Sequence, residues 1–142
     1  MQKINTNFQI KTKMNELVIN AEGQILGRLA AFVAKQALLG NKVVVANSEK
    51  ALVSGNKKST LEEYKIMNQK GDVNKGPFFP RAAERIVQRT IRGMLPYKIK
   101  RGRDAFERVK CVKGPLPEMI TIKVNKFSPQ KYITIEELSK LL

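Results

Sequence analysis

The side chains with the clearest chemical meaning lie in one basic segment, residues 76–103. This segment, "GPFFPRAAERIVQRTIRGMLPYKIKRGR", carries eight basic side chains and a single acid, Glu84. Seven of the eight arginines of the chain lie between Arg81 and Arg108, and the net charge of the whole chain is +15. The planar guanidinium of arginine suits bidentate contact with phosphate. A strong positive charge concentrated in this way predicts a polyanion as the binding partner.

The arginines recur at a spacing that predicts one face of a helix over residues 81–95. At about 100° per residue, four of them fall within about 80° of arc. They are Arg81, Arg85, Arg89 and Arg92. The opposite side of the same helix carries Ala83, Val87, Ile91 and Met94. A solvated charged face is the ordinary interpretation, but such faces usually mix charges of both signs. Four like charges repel one another unless phosphates neutralise them, which favours nucleic acid as the ligand.

Further basic residues lie outside this helix. Lys98, Lys100, Arg101 and Arg103 follow Pro96 in a segment that we expect to be a flexible, glycine-containing connector able to adapt to an irregular RNA surface. The other candidate RNA-binding residues are Lys75, Lys57, Lys58 and Arg28. Lys57 and Lys58 begin a predicted helix, where they either contact a phosphate or form a solvated helix end. Phe78 and Phe79 either stack on bases or pack under their loop, and packing is the favoured interpretation.

Several other chemistries are disfavoured by the residues present. With no histidine, the chain has no histidine-based triad or general base. With one cysteine as well, a nitrogen- or sulfur-ligated metal site is not expected. The turn "AEGQILGRLA" carries Gly23 and Gly27 at a spacing that fails the dinucleotide fingerprint. We expect Gly23 to make the turn and Gly27 to let the helix approach the sheet closely. No catalytic residue, metal or cofactor is therefore predicted.

Two alternative classes of function stay open at this point. A nucleic-acid-processing enzyme would need an acidic metal cluster, but the acids are scattered, and adjacent Glu62 and Glu63 point about 100° apart on a helix. Magnesium-dependent turnover of RNA would support that alternative. A peripheral membrane protein would also use a basic face, but the 81–95 helix lacks bulky aromatic residues and needs its apolar side for the core. Sedimentation with anionic vesicles would support this second alternative.

The secondary-structure elements that must position these residues are predicted to form an α/β domain. "ELVIN" (16–20) and "KVVVANS" (42–48) predict strands on either side of a helix that ends at Gly40, which makes a βαβ unit with a parallel pair of strands. "KKSTLEEYKIM" predicts a polar helix, "MITIKVN" (119–125) a half-buried strand, and "TIEELSKLL" a helix whose Thr134 and Glu137 have capping-box spacing. We expect residues 16–142 to form a single domain after a basic extension, residues 1–15. Neither a signal peptide nor a transmembrane segment is predicted.

Two stretches of the chain resemble a known family. "VINAEGQILGRLAAFVAKQALLGNKVVVANSEKALVSGNK" and "GPFFPRAAERIVQRTIRGMLPYKIKRGRDAFERVK" are similar to the L13 proteins of the large ribosomal subunit, nearest to their archaeal and eukaryotic branch. The resemblance covers about residues 17–142. Two positions depart from it, since Ala83 stands where relatives commonly have proline and Tyr97 where histidine is frequent.

The resemblance carries its own expectations. It implies a small parallel sheet with helices on both faces, embedded in large-subunit rRNA beside neighbouring ribosomal proteins. It implies a structural role in subunit assembly and translation, in the cytoplasm, with no enzymatic activity. It also places the four arginines and the "LPYKIKRGR" run in the basic, RNA-facing region of the family.

Overall fold

The predicted strand–helix–strand unit is present in the computed structural model, which describes residues 16–118 and 129–142. Strand β1 spans Glu16–Asn20, helix α1 spans Leu26–Leu38 and strand β2 spans Lys42–Ala46. The two strands pair in parallel, and Val18 lies opposite Val44 in the register. The prediction of a βαβ unit with a parallel pair is therefore confirmed.

A third parallel strand and a separate antiparallel pair were not predicted. Strand β4, Val109–Cys111, pairs with the other side of β2, so the three-stranded sheet has the order β1-β2-β4. Strand β3, Leu52–Ser54, pairs antiparallel with strand β5, Tyr132–Thr134. Each of these three elements is only three residues long, too short for a periodic pattern to reveal it.

Besides a 3₁₀ turn over Ser48–Lys50, the described part of the chain contains four more α-helices. They are α2 (Lys57–Gln69), α3 (Ala83–Gly93), α4 (Lys100–Glu107) and α5 (Ile135–Leu141). The hydroxyl of Thr134 accepts from the backbone N–H of Glu137 at 3.2 Å, so the predicted N-cap of α5 is confirmed. The α/β class with a small parallel sheet is confirmed as well. The strand predicted over residues 119–125 and the extension over residues 1–15 lie outside the described residues, and the division into extension and domain stays a prediction.

The core lies between the sheet and the helices that pack on it. On β1 and β2 the residues that alternate into the core, such as Ile19 and Val45, are buried, as are Leu29 and Val33 on α1. Helix α1 contacts α3 and α4, and α3 also contacts β4 and α5. Helix α3 is thus held from several sides, which fixes the direction of its exposed face.

The two glycines of the first turn have different roles. Gly23 has φ +69°, a left-handed conformation that favours glycine, so the prediction that it makes the turn is confirmed. The prediction for Gly27 is wrong. Gly27 is exposed, and a Cβ added there would have no atom within 4 Å, so no close approach of α1 to the sheet requires glycine at this position.

No helix in the described ranges is long and apolar enough to cross a membrane.

Candidate nucleic-acid interface

Helix α3 separates cations from apolar residues as the sequence predicts. Ile86, Val87 and Ile91 are fully buried, whereas Arg85 and Arg89 on the other side of the helix are exposed. Arg92 lies partly buried on the same side as these two arginines. The three arginines follow each other at i, i+4 and i+7, along about 10 Å of helix. We call Arg85, Arg89 and Arg92 the arginine face.

Arg81 lies outside the helix, which corrects the predicted start at residue 81. The helix begins at Ala83, and its N-cap residue Ala82 has extended backbone angles, φ −68° and ψ 136°. Arg81 is nevertheless held in place. The side-chain amide of Asn68, with its oxygen turned toward the guanidinium, accepts from Nε at 3.1 Å and from Nη2 at 3.3 Å. Arg81 is exposed and reaches toward the end of α2.

The single acid of this segment does not neutralise the arginine face. Glu84 forms an ion pair with Lys113, with 3.3 Å between Nζ and Oε2. That carboxylate oxygen is buried and the contact lacks hydrogen-bond geometry. Every ion pair within residues 16–118 and 129–142 uses a lysine as its cation, and no arginine in these ranges lies within ion-pair distance of a carboxylate. The arginine face therefore keeps its full positive charge for an external anion.

The C-terminal end of the arginine face is stiffened by aromatic contacts. The guanidinium carbon of Arg92 lies 4.1 Å from the centre of the Tyr97 ring, a cation–π arrangement. Tyr97 in turn meets the ring of Phe106 edge to face, with 5.5 Å between centroids. Arg89, Arg92 and Lys98 line one groove together, so the structure brings these three predicted residues to one site.

The prediction of a flexible connector after Pro96 is wrong for most of its length. Lys98 lies in a turn, but Lys100, Arg101 and Arg103 are exposed residues of helix α4. Gly102 explains the error, because a glycine in a basic run is typical of a loop. Here it is buried, and a Cβ added to it would overlap the carbonyl group of Pro96. The glycine allows α4 to pack against the preceding turn.

The charge pattern of α4 differs from that of α3. Lys100 precedes Asp104 by four residues, and Arg103 precedes Glu107 by four residues. Opposite charges at this spacing lie on the same side of a helix and support it. All three cations of α4 therefore have an acid three or four residues further on, Asp104 for Lys100 and Arg101 and Glu107 for Arg103, although none of these pairs comes within ion-pair distance.

The remaining predicted residues are dispersed over the surface. Lys57 and Lys58 begin α2, and they line a separate groove with Glu137 of α5. Nζ of Lys57 lies 3.1 Å from a carboxylate oxygen of Glu137, so its charge is partly balanced. Arg28 is exposed in the first turn of α1, and Lys75 is exposed in the loop between α2 and α3.

The two phenylalanines of that loop behave differently. Phe79 packs edge to face on Tyr64, with 5.7 Å between centroids, and the prediction that it packs is confirmed. Phe78 is 70% exposed, so the same prediction is wrong for Phe78. Just before Phe78, two backbone hydrogen bonds of 3.1 and 2.9 Å join Asp72 and Gly76 within the same loop.

Other residues near the arginine face were assigned incompletely from the sequence. Met94, placed on the apolar side of the helix, lies just beyond α3 and is 43% exposed, and Ile99 is 63% exposed. Arg108 has a structural role, since it donates to the carbonyl of Ala37 at 3.3 Å in the last turn of α1.

Burial, and then the charge of Glu84, raise the pKa of the Cys111 thiol to about 12. Among the described residues, no group of acids and cysteine is arranged to hold a metal ion.

Comparisons with known proteins agree with the resemblance noted from the sequence. A family model described as "Ribosomal protein L13" matches residues 14–117. The chain is 42% identical to "Large ribosomal subunit protein uL13" of Archaeoglobus fulgidus, over 98% of this chain and 96% of that protein. It is 46% identical to the proteins of the same name from Methanosarcina barkeri, over 87% of this chain and 94% of that protein, and from Methanocaldococcus jannaschii, over 88% of this chain and 96% of that protein.

Proposed function

The chain belongs to the ribosomal protein L13 family, and we propose that it is a structural constituent of the large ribosomal subunit that binds large-subunit rRNA and supports subunit assembly and translation. The family consists of structural ribosomal proteins, so the chain acts by binding and not by catalysis. Its partners are large-subunit rRNA and neighbouring proteins of the subunit, in the cytoplasm. The function requires neither a cofactor nor a small-molecule substrate.

The observation that carries this proposal is the unneutralised arginine face on a helix whose other side is buried. Arg85 and Arg89 are exposed, while the one acid of the segment, Glu84, is paired with Lys113. Like charges at i, i+4 destabilise a helix slightly, so such a face costs stability in the free protein. Phosphates that bind between the arginines would offset this cost.

Ten of the twelve candidate residues form a central group and an outer group. The central group comprises Arg85, Arg89, Arg92 and Lys98, which lie on the arginine face or in the groove beside it. Arg81 and Lys75 extend the charge along the preceding loop. The outer group lies on α1, α2 and α4, and it comprises Arg28, Lys57, Lys58, Lys100, Arg101 and Arg103. We propose that the central group provides most of the phosphate contacts, because acids lie near several members of the outer group.

The test is the salt dependence of binding to large-subunit rRNA. Each phosphate contact contributes about −0.7 to −0.9 to the slope of log K against log salt concentration. The four residues of the central group alone predict a slope of about −3. A slope near zero, with measurable affinity, would contradict the proposal.

A further inference from the structure

A groove of about 650 Å³ opens at the C-terminal end of the arginine face. This volume lies within the range of pockets that bind small molecules, about 300 to 1,000 Å³. Its walls combine cationic and apolar side chains. They include Arg89, Arg92, Leu95, Tyr97, Lys98 and Ile99.

The apolar walls have no use in binding phosphate. Ile99, whose sequence neighbours are Lys98 and Lys100, forms an exposed part of the wall and is itself 63% exposed. Leu95 forms a buried part of the same wall. A phosphate gains nothing from contact with these side chains, whereas a flat, largely apolar group does. The groove therefore suits a ligand with an apolar part next to an anionic part.

The groove also presents a stacking surface that is already ordered. The guanidinium of Arg92 lies over the Tyr97 ring at 4.1 Å, and the Tyr97 and Phe106 rings pack edge to face. Guanidinium planes and aromatic rings are the surfaces on which unpaired RNA bases stack. A surface ordered before binding loses less conformational entropy when the ligand arrives.

We propose that this groove receives one unpaired nucleobase of the rRNA, while Arg89 and Lys98 hold the phosphates on either side of that nucleotide. The proposal rests on the function proposed above and adds a base-binding site to a surface otherwise suited to phosphates. The charge of the groove favours a nucleotide over an apolar protein side chain, because three cations line it.

Gly93 allows the groove to be blocked without a change of charge. It lies in the wall, at the last position of α3, and a Cβ added there would have no atom within 4 Å. Gly93→Phe therefore places a ring in the groove with no clash at Cβ, and replacing a helical glycine does not weaken the helix. Gly27→Phe is the matched control, since Gly27 is an exposed glycine of α1 with equally open surroundings.

The experiment combines chemical footprinting with equilibrium binding of the full chain to isolated large-subunit rRNA. Dimethyl sulfate and a carbodiimide report on exposed bases, and hydroxyl radicals report on the backbone. The wild type and Gly27→Phe should protect one unpaired base beside the backbone protections. Gly93→Phe should expose that base again and keep the backbone protections. Its dissociation constant should rise about 5- to 150-fold at an unchanged salt slope, the range expected for one stacked base.

Three results would overturn the inference, and they differ from a failure of the proposed function. The first is an equal dissociation constant for Gly93→Phe and the wild type. The second is the loss of the backbone protections together with the base by a Gly93→Phe variant whose circular dichroism matches that of the wild type, which would mean that the groove holds phosphates and not a base. The third is a wild-type complex with no protected base, together with crosslinking of Lys98 to another protein in the intact subunit, which would assign the groove to a protein segment. A wild type that shows no salt-dependent rRNA binding would instead refute the proposed function itself.

Discussion

Replacing Arg85 and Arg89 together with alanine should weaken RNA binding without lowering folding stability. Both side chains are exposed on the side of α3 opposite to buried Ile86 and Val87. Neither forms an ion pair with a carboxylate of the described residues. The substitution therefore removes no contact with the core.

The magnitudes follow from this geometry. Arg85 and Arg89 are four residues apart, so removing their repulsion should leave the free energy of unfolding unchanged or raise it by about 0.2 to 0.5 kcal/mol. Losing two phosphate contacts should make the salt slope of rRNA binding shallower by about 1.4 to 1.8. At about 0.15 M salt this corresponds to a loss of affinity of roughly 15- to 30-fold.

The assay is binding to large-subunit rRNA across a series of salt concentrations, with urea unfolding followed by circular dichroism on the same samples. Lys35→Ala with Lys65→Ala is the matched control, because it removes two exposed cations of α1 and α2 outside the candidate interface. The control should show a much smaller change of slope. An equal change in both double variants would refute the assignment of the arginine face, and a loss of helical signal in the arginine variant would show that its faces were misassigned.

Three further predictions concern the surroundings of the interface. Gly102→Ala should lower the free energy of unfolding by about 1 to 3 kcal/mol in urea titrations, because the new methyl group overlaps backbone atoms of Pro96; an unchanged stability would contradict this packing. Phe79→Ala should lower the melting temperature, whereas Phe78→Ala should leave it unchanged because Phe78 is 70% exposed; equal shifts would contradict the two placements. Burial raises the pKa of the Cys111 thiol to about 12, so iodoacetamide should label it slowly at about pH 8.5 in the native protein and rapidly in guanidinium chloride, and rapid native labelling would contradict this burial. Because this pKa is raised on folding, the stabilising contribution of the protonated thiol is complete below about pH 8.5 and is lost as the pH rises toward about 12.

The elements with strong local patterns could be predicted from the sequence. The strands around α1 are continuous apolar runs bounded by turn residues, and the five residues predicted for β1 are the five observed. The arginine face follows from helical spacing alone, since three cations at i, i+4 and i+7 lie together wherever the helix packs. Thr134 marked the start of α5 because its capping bond is local in the sequence.

The elements that depend on distant partners could not be predicted in this way. Strand β3 pairs with β5 across about eighty residues, and neither strand has a periodic pattern of its own. The first turn of helix α4 could not be predicted, because the reason for Gly102, its contact with Pro96, is tertiary. The groove beside the arginine face needs the fold of the turn at Tyr97, which places an aromatic ring under Arg92.

The most direct test of the account is sedimentation of tagged protein from a cell lysate through a sucrose gradient, at low salt and after a high-salt wash. We expect the wild type to stay with the large subunit through the wash, and the double variant of Arg85 and Arg89 to be incorporated less and to be released at lower salt. Wild-type protein that remains at the top of the gradient under both conditions would contradict the central claim.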